Sequence, residues 1–374
     1  MKILYDHQIF SIQDFGGVSR YFHELLEHAG PGLTAELPVV LSNNLYLHDR
    51  RHTRHHEFFR RLPLRGRWRL MQYVNHQATL RALRRQDFDV FHPTLNSSAY
   101  FLDLLEEKPF VLTIHDMIER LFPQFYAGPG TGAAQELLSR RASRIIAVSE
   151  HTRADILRLL PVPPERVEVI YHGYAHREYS AAESRVAAPA NYVLYTGTRA
   201  LYKNFSCLAE AFSQLSQRAF PDLHLVCAGG HPFTPVEREL LRRQGLAGRV
   251  HHFGLLTDAQ LQQLYRGARA FVFPSHYEGF GLPILEAFGQ QCPVVLSRAS
   301  CFPEIAQDAA LYFDPNQPAD LRQQLERLLG QPELRAHLTR LGYLRVRDFS
   351  WQHTAASTRQ VYEEARAATP VFSH

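Results

Sequence analysis

The chain has 374 residues, 45% of them hydrophobic, and a formal net charge of +4. This length predicts two domains, and the apolar content is ample for two cores. No run of about 18 apolar residues occurs, which excludes a transmembrane helix; the four cysteines, Cys207, Cys227, Cys292 and Cys301, form no CxxC or Cys/His metal pattern and read as reduced thiols of a cytosolic protein.

Lys2–Asp6 reads as a strand, and the chain enters it without the apolar region and cleavage site of a signal peptide. Gly16-Gly17 opens a helix over Val18–His28, and another strand is expected near Leu37–Leu41. From Arg50 to Arg85 there are eleven arginines against one acidic residue, Glu57; part of this region, Leu70–Leu83, reads as a helix. Asp89–His92 and Phe110–Ile114 read as short buried strands. A helix over Gln135–Ala142 and a strand over Arg144–Val148 follow. Ser149 can cap a helix over Glu150–Leu160, and Val167–Tyr171 is the last strand of the first half. Residues Ala181–Ala190, rich in alanine and polar groups, read as a linker.

A second alternating series follows: strand Tyr192–Thr196, helix Asn204–Gln217, strand His224–Ala228, helix Val236–Gly245 and strand Val250–Phe253. Thr257 can cap a helix over Asp258–Ala268. Strand Pro293–Ser297, helix Pro318–Leu329 and a final helix over Gln352–Ala367 complete the chain, with Ser350 a possible cap. Alternation of this kind implies an α/β chain with parallel sheets covered by helices on both faces.

One segment carries the chemistry. Ala270–Phe273 is an apolar run ended by Pro274-Ser275, Gly279 and Gly281 let backbone approach a ligand, and Pro283 suits the first turn of a helix. Free N–H groups at such a helix start, with the dipole, favour an anion. Glu278 and Glu286 bracket the site and offer acceptors for sugar hydroxyls, so the segment looks like a nucleotide-sugar site.

Glu278 and Glu286, with seven residues between them, match the E-x7-E signature of retaining glycosyltransferases. The fuller string, Pro274-Ser275-x-Tyr277-Glu278-Gly279-Phe280-Gly281-Leu282-Pro283-x-Leu285-Glu286-Ala287, resembles glycosyltransferase family 4. The resemblance implies a GT-B fold: two Rossmann-like domains with parallel sheets facing a central cleft. The acceptor domain would cover residues 1–182 and the donor domain 190–350, with 351–374 a helix crossing back onto the first domain. Gly16, Gly17, Thr198, Arg199, Lys203, His251, Glu278, Gly279, Phe280, Gly281, Leu282 and Glu286 then fall at donor-binding positions. Lys203 and Arg199 would be the basic pair on the diphosphate, and Glu286 would hold the ribose. His115, Lys203 and Glu278 fall at catalytic positions, with His115 near the reacting carbon and Asp116 orienting it. Two departures stand out. Thr198 occupies a place where many members carry arginine, and Tyr171-His172-Gly173-Tyr174 replaces a common Asn-Gly-Val-Asp.

The implied reaction is retaining transfer of a sugar from a nucleoside diphosphate sugar, a co-substrate rather than a cofactor, with no bound metal. The pattern is most similar to bacterial mannosyltransferases that build O-antigen or capsule chains. GDP-mannose is therefore the first donor, and UDP- or dTDP-sugars are alternatives. The acceptor would be a growing, lipid-linked saccharide, and no nucleic-acid partner is expected. Arg20, one turn into the first helix, could reach a phosphate or an acceptor group; Arg60, Arg61, Arg65, Arg67 and Trp68 are candidates for contact with that acceptor or with anionic lipid at the inner face of the cytoplasmic membrane, because arginines interleaved with aromatic bodies suit the headgroup boundary. A Rossmann dehydrogenase is disfavoured, since no G-x-G-x-x-G follows Lys2–Asp6. A non-catalytic sugar-nucleotide-binding relative and, among enzymes, an epimerase or phosphorylase of the same fold are the competing readings. Retention of His115, Lys203, Glu278 and Glu286 argues against the binder.

Overall fold

The computed structural model describes residues 1–48, 53–58, 66–125, 130, 132–180 and 182–368. Their strands, in chain order, are β1 (Lys2–Tyr5), β2 (Thr34–Glu36), β3 (Val90–His92), β4 (Val111–Ile114), β5 (Arg144–Ala147), β6 (Val167–Val169), β7 (Tyr192–Thr196), β8 (His224–Ala228), β9 (Val250–Phe253), β10 (Ala270–Phe273), β11 (Val294–Ser297) and β12 (Ala310–Phe313). The chain divides into two compact units, Met1–Gly173 with Ser350–His374, and Tyr174–Phe349.

In the first unit, β2-β1-β3 and β4-β5-β6 form parallel ladders. A parallel bridge from Phe91 to Phe110 joins them. The expected strand at Leu37–Leu41 lies earlier, at Thr34–Glu36. Pro38 explains the shift: it has no N–H for a ladder and restricts Leu37 before it. The N–H groups of Val40 and Leu41 instead donate to Asn75 Oδ1, at 2.8 and 2.9 Å. Asn75 sits inside the Arg67–Arg84 helix, which is thereby tied to the end of this segment.

The last helix, Trp351–Ala367, belongs to the first unit. Ser350 caps it by accepting from the N–H of His353. A Cβ on Gly173 would lie 2.1 Å from the backbone N of Trp351, so only glycine lets these two backbones approach. A buried polar chain fixes the helix further. The hydroxyls of Tyr5 and Tyr362 are 3.0 Å apart, Tyr362 Oη is 2.7 Å from His92 Nδ1, and His92 Nε2 is 2.9 Å from Thr113 Oγ1. Thr113 Oγ1 in turn lies 3.2 Å from the hydroxyl of Tyr21.

The second unit is one parallel six-stranded sheet in the order β12-β11-β10-β7-β8-β9. Its central strands are buried along their length, so they read as continuous apolar runs rather than alternating ones. Val193, Leu225, Val272 and Val295 pack with Phe212 and Leu325 of the covering helices. The strand order reverses between β7 and β10. Ligands of doubly wound sheets bind outside the carboxyl ends of the strands at such a reversal.

Candidate active site

Two loops meet at that reversal. After β7, Gly197 takes a left-handed φ of 107°, and the chain reaches the short turn Leu201–Lys203. Asn204, also left-handed, joins this turn to the Phe205–Arg218 helix and anchors it by donating to Pro315 O at 2.8 Å. After β10, His276 N–H donates to Tyr202 O at 2.8 Å, so the two loops share a backbone hydrogen bond. Lys203 Nζ then lies 2.6 Å from Glu278 Oε1.

Glu278 is held from several sides. Its N–H donates to Ser300 Oγ at 3.1 Å. The thiol of Cys301 lies 3.3 Å from its carbonyl and 3.1 Å from that of Phe280. Burial pushes this thiol well above the usual range, so it stays a neutral strut. Gly281 adopts φ 94° as the residue before the Leu282–Gly289 helix, while Pro283 sits in its first turn. The residues that open this helix are apolar, so its N–H groups meet no acid in the first turn, as an anion site requires. One turn in, Glu286 Oε2 accepts from the hydroxyl of Tyr265 at 3.1 Å, and that hydroxyl is 3.2 Å from Thr196 Oγ1. Burial first, and the Glu286 charge second, hold the Tyr265 phenol far above its usual range. It is therefore a fixed neutral donor.

In the first unit, Val18 at the start of the Gly17–Glu27 helix lines a cavity of about 180 Å³ together with Asn96, Thr113, His115 and Asp116. The ring of Tyr21, one turn further, meets that of His115 edge-on with centroids 5.1 Å apart. His115 Nε2 is shielded from solvent without a hydrogen-bond partner among the described residues. Burial lowers its pKa from 6.5 to about 4, so the imidazole is neutral at pH 7. Asp116 Oδ1 accepts from the N–H of Ile118 at 3.0 Å, which fixes the turn after β4.

Two family descriptions match in tandem, Glycosyltransferase Family 4 over residues 15–178 and Glycosyl transferases group 1 over residues 177–345. The chain is 31% identical over 310 residues to MMP alpha-(1->4)-mannosyltransferase of Mycolicibacterium hassiacum, covering 78% of this chain and 74% of that protein. This chain belongs to glycosyltransferase family 4. It is also 28% identical over 359 residues, 92% of each protein, to O-antigen chain mannosyltransferase B of Escherichia coli. Its fold is GT-B: sucrose-phosphate synthase from Thermosynechococcus elongatus superposes with a TM-score of 0.77 at 20% identity over 98% of this chain and 99% of that one.

In this glycosyltransferase the expected donor-side residues divide. Gly279, Phe280, Gly281, Leu282, Glu278, Glu286, Thr198 and Lys203 gather around the carboxyl ends of β7 and β10, with Thr198 O accepting from the Tyr195 hydroxyl at 2.6 Å. Arg199 does not join Lys203 as a basic pair. Its side chain is 3% exposed, Nε donates to Glu237 Oε1 at 2.7 Å, Nη2 donates to His231 O, and the guanidinium lies over the Phe233 ring at 4.6 Å. His251 lies in β9, where the expected contact to the donor is made by backbone rather than by the ring. Its Nε2 is 3.0 Å from Nδ1 of His224, the first residue of β8, so its ring points toward the amino end of the sheet. The neighbouring His252 faces the carboxyl end, with Nε2 3.1 Å from Gly229 O.

In the first unit, Gly16 and Gly17 do open a helix. Arg20 on that helix is 13% exposed, with Nε 3.9 Å from Glu24 Oε1. Arg67 begins its helix, and Trp68 is 55% exposed. Arg60, Arg61 and Arg65 lie outside the described residues. Among the described residues, no helix is long and apolar enough to cross a membrane, and no group of three His, Cys, Asp or Glu side chains is arranged for a metal.

One cluster was missed in the sequence. Asp6 and His7, at the carboxyl end of β1, are both buried. Asp6 Oδ1 accepts from Thr94 N–H at 3.0 Å, and Oδ2 accepts from Gln8 Nε2 at 2.6 Å and the Tyr100 hydroxyl at 3.2 Å. His7 Nδ1 is 2.8 Å from Thr79 Oγ1, and the rings of His76 and Tyr100 stand 4.7 Å apart beside it. The position directly after the first strand was the available signal, because that end of a parallel sheet collects ligands.

Proposed function

We propose that this glycosyltransferase moves a hexosyl group, with mannose from GDP-mannose as the first candidate, onto a hydroxyl of a growing bacterial polysaccharide or lipid-linked saccharide. The single observation carrying the donor assignment is the Lys203–Glu278 pair at the carboxyl ends of β7 and β10. It sets a cation for a diphosphate beside a carboxylate for sugar hydroxyls. The mannosyltransferase names of its relatives support the choice of sugar.

In this reading the diphosphate lies against the start of the Leu282–Gly289 helix. Lys203 stabilises the leaving charge, Glu278 holds donor hydroxyls and Glu286 the ribose. The acceptor oxygen bonds to the anomeric carbon as the carbon–oxygen bond to the diphosphate breaks, on the same face. The acceptor proton passes to the departing phosphate oxygen, so configuration is retained without a bound metal. His115, neutral and directed into the first unit's cavity, would hydrogen-bond the transferring sugar. The polar cluster of Gln8, His76 and Tyr100 is the corresponding candidate for acceptor hydroxyls. The protein would work at the inner face of the cytoplasmic membrane.

The test is release of nucleoside diphosphate from GDP-, UDP- and dTDP-sugars in the presence and absence of saccharide acceptors, with the anomeric configuration of product read by NMR. GDP-mannose turnover with retention is expected. Folded protein that releases product from none of the donors would overturn the reading, and turnover of a UDP-sugar alone would replace mannose.

A further inference from the structure

A second cavity, of about 690 Å³, lies in the Tyr174–Phe349 unit at the opposite end of its sheet. Its walls are the end of the Asp258–Gly267 helix, the residues leading into β10 and β11, and one face of the Pro332–Arg345 helix. Four arginines line it, Arg266, Arg269, Arg335 and Arg340, and no carboxylate does. Arg335, Thr339 and Tyr343 recur at a spacing of four, so they share a helical face. Leu338 of that helix is buried in the core.

Among the described residues none of the four forms a salt bridge with an acid. Arg266 Nη2 donates to Gln290 Oε1 at 2.9 Å, and Arg269 Nη1 reaches Asn191 Oδ1 only at 3.5 Å. Arg269 Nε and Arg335 Nη1 are shielded from solvent with no acceptor among the described residues. Arg269 and Arg335 line the same pocket, and burial, then the charge of Arg269, lower the pKa of Arg335. Buried N–H donors without acceptors are costly, and like charges set close together repel. An anion removes both costs, and planar guanidinium forks suit phosphate oxygens in particular.

We propose that this arginine-lined cavity is a second anion site, distinct from the donor site, that binds a phosphate-bearing small molecule. Its volume is within the range of pockets for drug-sized ligands, so it has room for more than a bare phosphate.

The test is calorimetric titration with inorganic pyrophosphate of wild type, of Lys203→Ala and of the double variant Arg269→Gln/Arg335→Gln. Lys203→Ala removes the donor-side cation and should keep one pyrophosphate site. The double variant should bind there about tenfold or more weakly, the loss of a charged hydrogen bond. Pyrophosphate should also raise the melting temperature of Lys203→Ala, since a ligand of the native state stabilises it. Binding that vanishes in Lys203→Ala and persists in the double variant would overturn the proposal, as would absence of binding in all three. If the double variant does not fold, Arg335→Lys decides: it keeps the charge, loses the fork and should still weaken binding, and unchanged affinity would overturn the site. Phosphatidylglycerol vesicles distinguish the sources of phosphate. Pelleting of wild type but not the double variant puts the group on a lipid, whereas pyrophosphate binding with pelleting absent, or equal in wild type and double variant, puts it on a soluble molecule; both keep the site.

Discussion

Lys203 Nζ and Glu278 Oε1 lie 2.6 Å apart, and each side chain is 15% exposed. The pair joins the loop after β7 to the loop after β10 and orients both groups before any ligand arrives. An ammonium has three donors, so Lys203 can keep Glu278 while taking a phosphate oxygen. Lys203→Ala should therefore lower kcat/KM by about 100- to 1,000-fold, the scale for losing one preorganised group at a developing charge. It should also destabilise the second unit by about 1–3 kcal/mol by leaving a carboxylate unpaired. Steady-state kinetics and denaturant unfolding check the two effects separately. Wild-type turnover in Lys203→Ala would remove the lysine from the reaction.

Glu286 and Tyr265 form the second testable pair. Glu286→Ala should weaken nucleoside diphosphate binding by about 1.5–3 kcal/mol, the value of a hydrogen bond to a charged group. Tyr265→Phe leaves the carboxylate in place and removes one neutral donor, so about 0.5–1.5 kcal/mol is expected. Calorimetry gives both. Equal losses for the two variants would mean that Glu286 acts through Tyr265 rather than on the ligand.

His115→Ala should reduce kcat more than it raises the donor KM, because the proposed contact is at the reacting sugar. With a folded pKa of about 4, the imidazole is already neutral throughout pH 5.5–8. The kcat profile of the wild type should show no limb from this residue in that window. A limb near pH 6.5 that disappears in His115→Gln would contradict the buried, neutral histidine.

His92 supplies a prediction about stability. Burial lowers its pKa from 6.5 to about 3, while the unfolded chain keeps the ordinary value. In the neutral form one ring nitrogen donates and the other accepts, which fits its bonds to Tyr362 and Thr113. Below pH 6.5 the unfolded state binds the extra proton, so its contribution falls as pH drops toward 3. Melting temperature should decline with acidification across this window, and the slope should be shallower in His92→Gln by about one proton. His7 and His115, each lowered to about 4 by burial, keep the remaining slope nonzero. An unchanged slope in His92→Gln would refute the assignment.

The arginine-rich region carries the last prediction. The Arg67–Arg84 helix exposes Trp68 (55%), Leu70 (49%) and Tyr73 (63%), bulky side chains suited to a headgroup boundary. Vesicles containing anionic lipid should sediment the protein at low salt, and neutral vesicles should not. Replacing Arg60, Arg61, Arg65 and Arg67 with Ser should weaken this by about 1 kcal/mol for each arginine near the surface. Equal sedimentation of variant and wild type would exclude the segment from membrane contact.

The sequence by itself determined the α/β alternation and most of the donor loop. Strands β7, β8 and β10 have the bounds that their apolar runs predict, because a strand buried in a parallel sheet has to be apolar along its length and stops at polar, Gly or Pro residues. The caps at Ser149, Thr257 and Ser350 were legible for the same local reason. Short or exposed elements were not: β2 is three residues long, and the Pro332–Arg345 helix buries only Leu338 and Gly342, leaving a weak period to read.

Tertiary structure alone decided which charge meets which. Lys203 finds Glu278 across 75 residues only because β7 and β10 are neighbours, and Arg199 finds Glu237 across 38 because the capping turn of the Pro235–Arg243 helix folds over it. Four positions in the loop separate Lys203, which meets the loop after β10, from the buried structural Arg199. Local sequence fixes period and turn chemistry over a few residues, whereas partners, burial and the recruitment of Tyr265, His92 and the four back-face arginines follow from strand order, which brings together groups that the linear chain keeps far apart.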